Sequence, residues 1–302
     1  PGTYGIVSKP QSTRVGINQF LDGYIKEDNV RIRTEPIDFN LGRSSVMQEG
    51  KIYLQWEDIE KTLDTFSLKV KAGSLNKGEI LGIFGSNALG KTTFAKLLAG
   101  EIKPDKGKVD HEVTISYKPQ YISTDFHGTV IDLLQSNVDN ILSEEFRSTI
   151  IRPLGLEKLM EKTVSNLSGG ELQRVAIALA LSKEADVYLL DEPSAYLDVE
   201  QRLAVAKTIR KLCEHKECSA MIIDHDLLFL SYLSDRAMVF SGDSGRNAEA
   251  EQFQLQEGFN RFLKEVDVTF RKDPQSKRPR ANKPNSQKDQ EQKRANKYFY
   301  VE

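Results

Sequence analysis

Apolar and polar residues alternate along the first quarter of the chain. Val30 and Ile32, Ile37 and Phe39, Ile52, Leu54 and Trp56, then Phe66, Leu68 and Val70 recur at period two, with polar breaks between the groups. Such a period lays one face of each strand on a core, so the stretch predicts a layer of antiparallel strands. The pattern then changes. Ile80-Leu81-Gly82-Ile83-Phe84 is an unbroken apolar run, as expected of a strand covered on both faces, and it leads into a helical pattern at Phe94–Ala99. A strand at Val113–Tyr117 follows, then helical spacing through Val130, Leu133, Leu134, Val138, Ile141 and Leu142. Next come a helix at Val175–Ser182, a buried strand at Val187–Leu190, a helix at Glu200–Glu214, a strand at Ala220–Ile223 and a last one at Val239-Phe240. Strands and helices in this alternation predict an α/β fold: a mainly parallel core sheet, an antiparallel β-layer beside it, and an inserted helical subdomain at about 121–183. The expected divisions are a linker or hinge at 1–30, the main domain at 31–245, and a C-terminal hinge helix with a basic tail at 246–302.

Composition narrows this only a little. The chain has 302 residues, 39% of them hydrophobic, enough for a sizeable core with a polar periphery. No apolar run is long enough to cross a bilayer. The start at Pro1-Gly2-Thr3, without Met, reads as that of a piece of a longer protein. Cys213 and Cys218 fit neither a redox nor a zinc spacing, so reduced, cytoplasmic thiols are expected. Net charge is only −2, but residues 271–297 hold ten Lys or Arg against three Asp or Glu. That segment reads as a solvated tail, or as a clamp or RNA-phosphate contact around Arg278-Pro279-Arg280. In residues 1–30 the compact patch Arg14–Tyr24, with Asn18 in its middle, sets Ile17, Phe20 and Leu21 in an otherwise polar lead-in. Those three are expected to dock.

The chemistry concentrates at strand ends. Gly85-Ser86-Asn87-Ala88-Leu89-Gly90-Lys91-Thr92-Thr93 joins the Ile80 strand to a helix, which is the context the G-x-x-x-x-G-K-[ST] phosphate loop requires. Its glycines let backbone N–H groups point at phosphate oxygens, Lys91 supplies a point charge to the β- and γ-phosphates, and Thr92 offers a hydroxyl to Mg²⁺. ATP and Mg²⁺ are therefore the expected ligands. Asp191 and Glu192 end a buried strand, Asp191 placed for Mg²⁺ and Glu192 to polarise the attacking water. Gln120, just past the Val113 strand, is a candidate for both the metal and the water. His225, at the tip of the Ala220 strand, is a candidate γ-phosphate sensor. Ser168-Gly169-Gly170-Glu171 opens a helix with a capping box, and its two glycines leave N–H groups bare for a second anion. Trp56 reads as core; Phe66 stays open between core and a ring that stacks on the base.

Taken together, the phosphate loop, Gln120, Leu167–Arg174, Leu189–Pro193, Ser194–Asp198 and Asp224-His225-Asp226 resemble an ABC-type P-loop ATPase domain over about residues 50–245. The patch Arg14–Tyr24, Ser116–Gln120 and the tail from Val268 to Lys293 narrow the likeness to the second nucleotide-binding domain of the ABCE-type ATPases, the ribosome-recycling factors also called RNase L inhibitors. The resemblance implies a cytoplasmic twin ATPase that splits ribosomes into subunits. It implies as partners a first ABC domain, absent from this chain, with the small ribosomal subunit, its rRNA and a release factor, and no membrane. Ser168–Glu171 would address the nucleotide held by that first domain, and Arg14, Asn18, Arg278 and Arg280 would brace the two halves as hinges. The ATPase subunit of an ABC transporter is the alternative, since it would share every core motif. Three departures stand out. Ala88 occupies the place of a third glycine, the usual base-stacking tyrosine falls near Leu63, and Asp224 precedes His225 where Glu is common.

Overall fold

The computed structural model describes residues 9–32, 36–37, 51–110, 113–120, 126–137, 141, 143–273 and 279–300, the side chains of Arg14 and Tyr300 excepted. They fall into two compact units, one drawn from Arg43–Asp267 and the other from both Pro1–Gly42 and Val268–Glu302. The smaller unit begins with helix α1 (Thr13–Asp22), ended by Gly23 in the left-handed region, and the short hairpin β1 (Tyr24–Ile25) and β2 (Val30–Arg31). In α1 Leu21 is buried, whereas Phe20 is exposed.

The larger unit starts with β3 (Ile52–Trp56), β4 (Ile59–Leu63), β5 (Phe66–Val70) and β6 (Gly73–Asn76), paired antiparallel as β3–β6 and β4–β5. The wholly buried β7 (Ile80–Gly85) follows, with α2 (Lys91–Leu98), β8 (Ile115–Lys118) and α3 (Val130–Gln135). After the short turn α4 (Glu144–Phe146), which continues into a π-helical turn, comes α5 (Gly169–Ser182). Then β9 (Val187–Asp191), α6 (Val199–Lys216), β10 (Ser219–Ile223), α7 (Leu227–Leu233) and β11 (Arg236–Asp243) complete the alternation. The main sheet runs β4-β5-β12-β11-β7-β10-β9-β8, where β12 is Asn247–Gln254; β11-β7-β10-β9-β8 are mutually parallel. The parallel order sets the C-terminal ends of β7, β8, β9 and β10 side by side, where open α/β sheets bind ligands. Trp56 is core as expected, its Nε1 donating to the Lys71 carbonyl and its ring edge-on to Phe94 at 5.4 Å between centroids.

The larger unit extends past residue 245. β12 reads as polar because its inward residues are only alanines: Ala248 and Ala250 are buried while Asn247 and Glu249 face out. Helix α8 (Leu255–Glu265) packs Phe259 on Phe84, centroids 4.7 Å apart, so it belongs to this core rather than to a hinge.

The described residues of the basic tail are folded. β13 (Phe270–Lys272) pairs with β14 (Pro279–Ala281) on one side and β15 (Phe299–Tyr300) on the other, and α9 (Gln287–Arg294) joins them in sequence. Pro279, which has no N–H, opens an edge strand, where that loss is tolerated. A buried polar network holds the unit. Thr269 Oγ1 donates to Asp289 Oδ1 at 2.5 Å, Asn282 Nδ2 to Thr269 Oγ1 at 2.9 Å, and Gln292 Nε2 to the Phe270 carbonyl at 2.9 Å. The Thr269 hydrogen bond leads in holding the Asp289 carboxyl below its ordinary pKa.

Candidate functional site

The phosphate loop leaves β7 where two backbones nearly touch. A side chain at Gly85 would bring its Cβ to 2.4 Å from the Phe240 carbonyl of β11, so only glycine fits. Gly90, the N-cap of α2, has φ +83°, and a Cβ there would stand 2.9 Å from the Phe66 ring. Phe66 thus lies against the loop itself, half-buried at the edge of the core. Ala88, where a glycine is usual, takes φ +59°, a left-handed conformation that costs an alanine about 1–2 kcal/mol. The turn between β11 and β12 holds the loop from outside: Ser244 Oγ donates to the Asn87 carbonyl at 2.8 Å and the Gly245 N–H to the Ala88 carbonyl at 3.0 Å. Leu89 is fully buried and anchors the loop, so only its backbone faces a ligand; Ser86 and Thr93 are half-buried.

Lys91 folds back on this loop. Its Nζ donates to the Gly85 and Ser86 carbonyls at 2.9 and 2.8 Å. Burial pushes its pKa down to about 8, against the pull of Asp191 and Glu192. An anion at the loop would favour the charged form.

The carboxylates meet this loop from β9. Asp191 is 1% exposed, and Thr92 Oγ1 donates to its Oδ2 at 2.9 Å. Burial is the leading cause that raises its pKa, and a cation alongside would favour the charged form. A hydroxyl and one carboxylate are hard oxygen donors, which suits Mg²⁺ completed by phosphates and water. Glu192 sits at φ +49°, its N–H donating to the Ile223 carbonyl at 2.7 Å and its own carbonyl accepting from Gln173 of α5. Its Oε1 is 3.3 Å from His225 Nε2. Burial, then the charge of Lys91, holds the His225 pKa below its ordinary value, against the pull of Glu192. Gln120 lies two residues beyond β8, half-buried; β8 runs parallel to β9 with Lys118 opposite Leu190.

Two residues here escape a reading of the sequence. Lys118 is 2% exposed and donates from Nζ to the carbonyls of Asp191 and Pro119 at 2.8 and 3.0 Å. Asp224, also buried, accepts from Ser194 Oγ at 2.7 Å and from the Ser194 N–H at 2.9 Å, fixing the loop after Glu192 to the end of β10. The only signal for either is a charged residue directly at the tip of an apolar strand.

The second glycine-bearing helix mouth is built differently. Ser168 caps α5, accepting from the Glu171 N–H at 3.4 Å while its own N–H donates to Glu171 Oε2 at 2.9 Å. Lys162, 2.7 Å away, leads in holding the Glu171 carboxyl down to about 2. The glycines also make room for a neighbour: a Cβ at Gly170 would come within 2.8 Å of the Tyr196 carbonyl, and one at Gly169 within 3.3 Å of its ring. Tyr196 itself is 80% exposed. Among the described residues, none of Ser168, Gly169 and Gly170 hydrogen-bonds to the phosphate loop. Of the hinge candidates, the Arg14 side chain and Arg278 lie outside the described residues. Asn18 is half-buried on α1, and Arg280 Nη1 donates to buried Asp273 at 3.2 Å.

Known proteins are similar to this chain in sequence and in fold. A family profile described as ABC transporter matches residues 68–195. Translation initiation factor RLI1 of Chaetomium thermophilum is 46% identical over 306 residues, covering all of this chain and 50% of that protein. ABC transporter E family member 3 of Arabidopsis thaliana is 43% identical over 157 residues, 50% of this chain and 87% of that protein. A solved structure titled "Model of ribosome-bound archaeal Pelota and ABCE1" superposes with TM-score 0.91 at 48% identity, covering 97% of this chain and 50% of that one. The chain spans about half the length of the RLI1 proteins it matches.

Proposed function

Because the chain belongs to the ABC transporter E family, we propose that it is the second ATP-hydrolysing half of a twin ATPase that works on ribosomes in the cytoplasm and separates their subunits. The observation that carries the chemistry is the convergence of Lys91, Thr92, Asp191, Glu192 and His225 from three strand ends on one phosphate loop. In this reading the loop amides and Lys91 bind the β- and γ-phosphates, Lys91 exchanging two loop carbonyls for phosphate oxygens. Thr92, Asp191 and Gln120 hold Mg²⁺, which when bound offsets the charge on the phosphates. Glu192 polarises the attacking water. His225 donates to the γ-phosphate or to Glu192, and Phe66 offers its edge or face to the base.

Ser168–Glu171 serves a different nucleotide, that of the first ABC domain, so each ATP is clamped between two halves. Similarity to translation initiation factor RLI1 and to a ribosome-bound assembly supports translation over transport, and the small ribosomal subunit, its rRNA and a release factor are the proposed partners. Among the described residues no helix is long and apolar enough to cross a membrane. The test is co-sedimentation of the two-domain protein with ribosomal subunits. Binding that rises with a non-hydrolysable ATP analogue is expected; no binding in either state returns the reading to a transporter ATPase.

A further inference from the structure

Lys118 is among the most completely buried large side chains in the protein, yet it ends in a charge. Its two acceptors mark the place where the β8–β9 ladder stops. Asp191 is the last residue of β9, and Pro119 cannot continue β8 as a donor. A strand end needs no ammonium to finish it; a hydroxyl or a water satisfies a carbonyl without the heavy desolvation cost of a buried cation. Burial outweighs the attraction of Asp191, Asp224 and Glu192 and brings the Lys118 pKa down to about 8, so the ammonium is held there by its two carbonyl acceptors at a net cost. The other cation at the site, Lys91, is tied instead to the carbonyls of Gly85 and Ser86. Lys118 is also two residues from Gln120, and it joins the strand that leads to Gln120 to the strand that carries Asp191 and Glu192.

We propose that Lys118 is a positioning residue for the hydrolytic site: its ammonium pins the end of β9 to the Gln120 segment, so that the metal-facing residues of both strands keep one spacing before Mg²⁺ and nucleotide arrive. It touches neither substrate nor metal. The inference rests on the ATPase reading above, and deepens it.

The test uses the protein carrying both ATPase halves and compares wild type with Lys118→Met, which keeps volume and removes charge and donors. Binding of a fluorescent ATP analogue is titrated with Mg²⁺, and thermal unfolding is followed without ligand. Residues that orient metal ligands typically change metal affinity about 10–100-fold when removed, so the Mg²⁺ concentration for half-maximal binding is expected to rise at least tenfold. Binding of the analogue in EDTA is expected to stay near wild type, whereas the melting temperature is expected to fall, because the two carbonyls and the acidic groups around them lose their cation.

Unchanged Mg²⁺ dependence would reduce Lys118 to a strand-end support and overturn the proposal. If the Met variant does not fold, Lys118→Gln, which keeps N–H donors without the charge, takes its place. Wild-type metal dependence in that variant, or its failure to fold as well, also overturns it. If the wild-type protein itself shows no Mg²⁺-dependent binding of the analogue, the ATPase reading fails, whatever Lys118 does.

Discussion

Two helices in this chain open on glycines, and their mouths are finished in opposite ways. At α2 the cap is Gly90, in a left-handed conformation with no side-chain acceptor for the first N–H groups, and a buried cation stands by. At α5, Ser168 and Glu171 satisfy each other reciprocally, and Lys162 neutralises the carboxylate. A helix start leaves several N–H groups without internal partners. The first mouth leaves them for a ligand. The second spends part of that capacity on itself, which fits a surface that meets a phosphate only when another domain delivers one.

The sharpest break in this comparison is at the chemistry of the first mouth. Glu192→Gln should keep ATP binding and lower turnover by about 10²–10⁴-fold, the usual worth of a general base, or roughly 3–5 kcal/mol at 1.36 kcal/mol per decade. Steady-state hydrolysis in the protein carrying both halves checks it; unchanged turnover removes Glu192 from the chemistry. Next is Ser168→Arg, which fills the second mouth. Hydrolysis of the nucleotide shared with the first domain should fall about 10²–10³-fold, as when a preorganised donor is lost, while ATP binding at Lys91 is unchanged. A liganded structure with Ser168 and Lys91 on the same nucleotide would erase the distinction.

Two smaller effects sharpen the contrast. Ala88→Gly relieves a left-handed alanine at about 1–2 kcal/mol, less the extra freedom of an unfolded glycine at about 0.4–1 kcal/mol. A rise of about 2 °C in melting temperature is expected, and a fall would show that the loop is not strained at Ala88. Ser168→Ala should cost about 1 kcal/mol through the lost cap. The Glu171 share of that cap has a pH signature. Its pKa is depressed from the ordinary 4.5 to about 2, so its stabilisation is complete above 4.5 and disappears as pH falls through about 2. The gap in melting temperature between wild type and Glu171→Gln should therefore close on acidification over that window.

The parts legible in the sequence are those where backbone geometry leaves no alternative. Gly85 and Gly90 cannot be replaced where they stand, and β9 is apolar up to Asp191, so phosphate loop and carboxylates announce themselves. Lys118 and Asp224 do not, because a charged residue at a strand tip ordinarily reaches water, and only the fold shows that these two turn inward. β12 stays hidden because alanine buries too little area to set a period against Glu and Gln. The folded tail is hidden for a related reason. Thr269, Asn282 and Asp289 form its interior, and polar residues pair there by geometry that spacing does not encode. Hydropathy ends the main domain at residue 245, whereas β12 and α8 continue the larger unit beyond it.

The smaller unit has a consequence for the order in which the protein is made. Its residues come from two stretches on either side of the larger unit, so α1 and the β1–β2 hairpin are synthesised well before β13, β14, β15 and α9. Closing a free loop of roughly 225 residues costs about 5 kcal/mol of chain entropy. The earlier segment therefore waits for the later one before the unit they share can be completed.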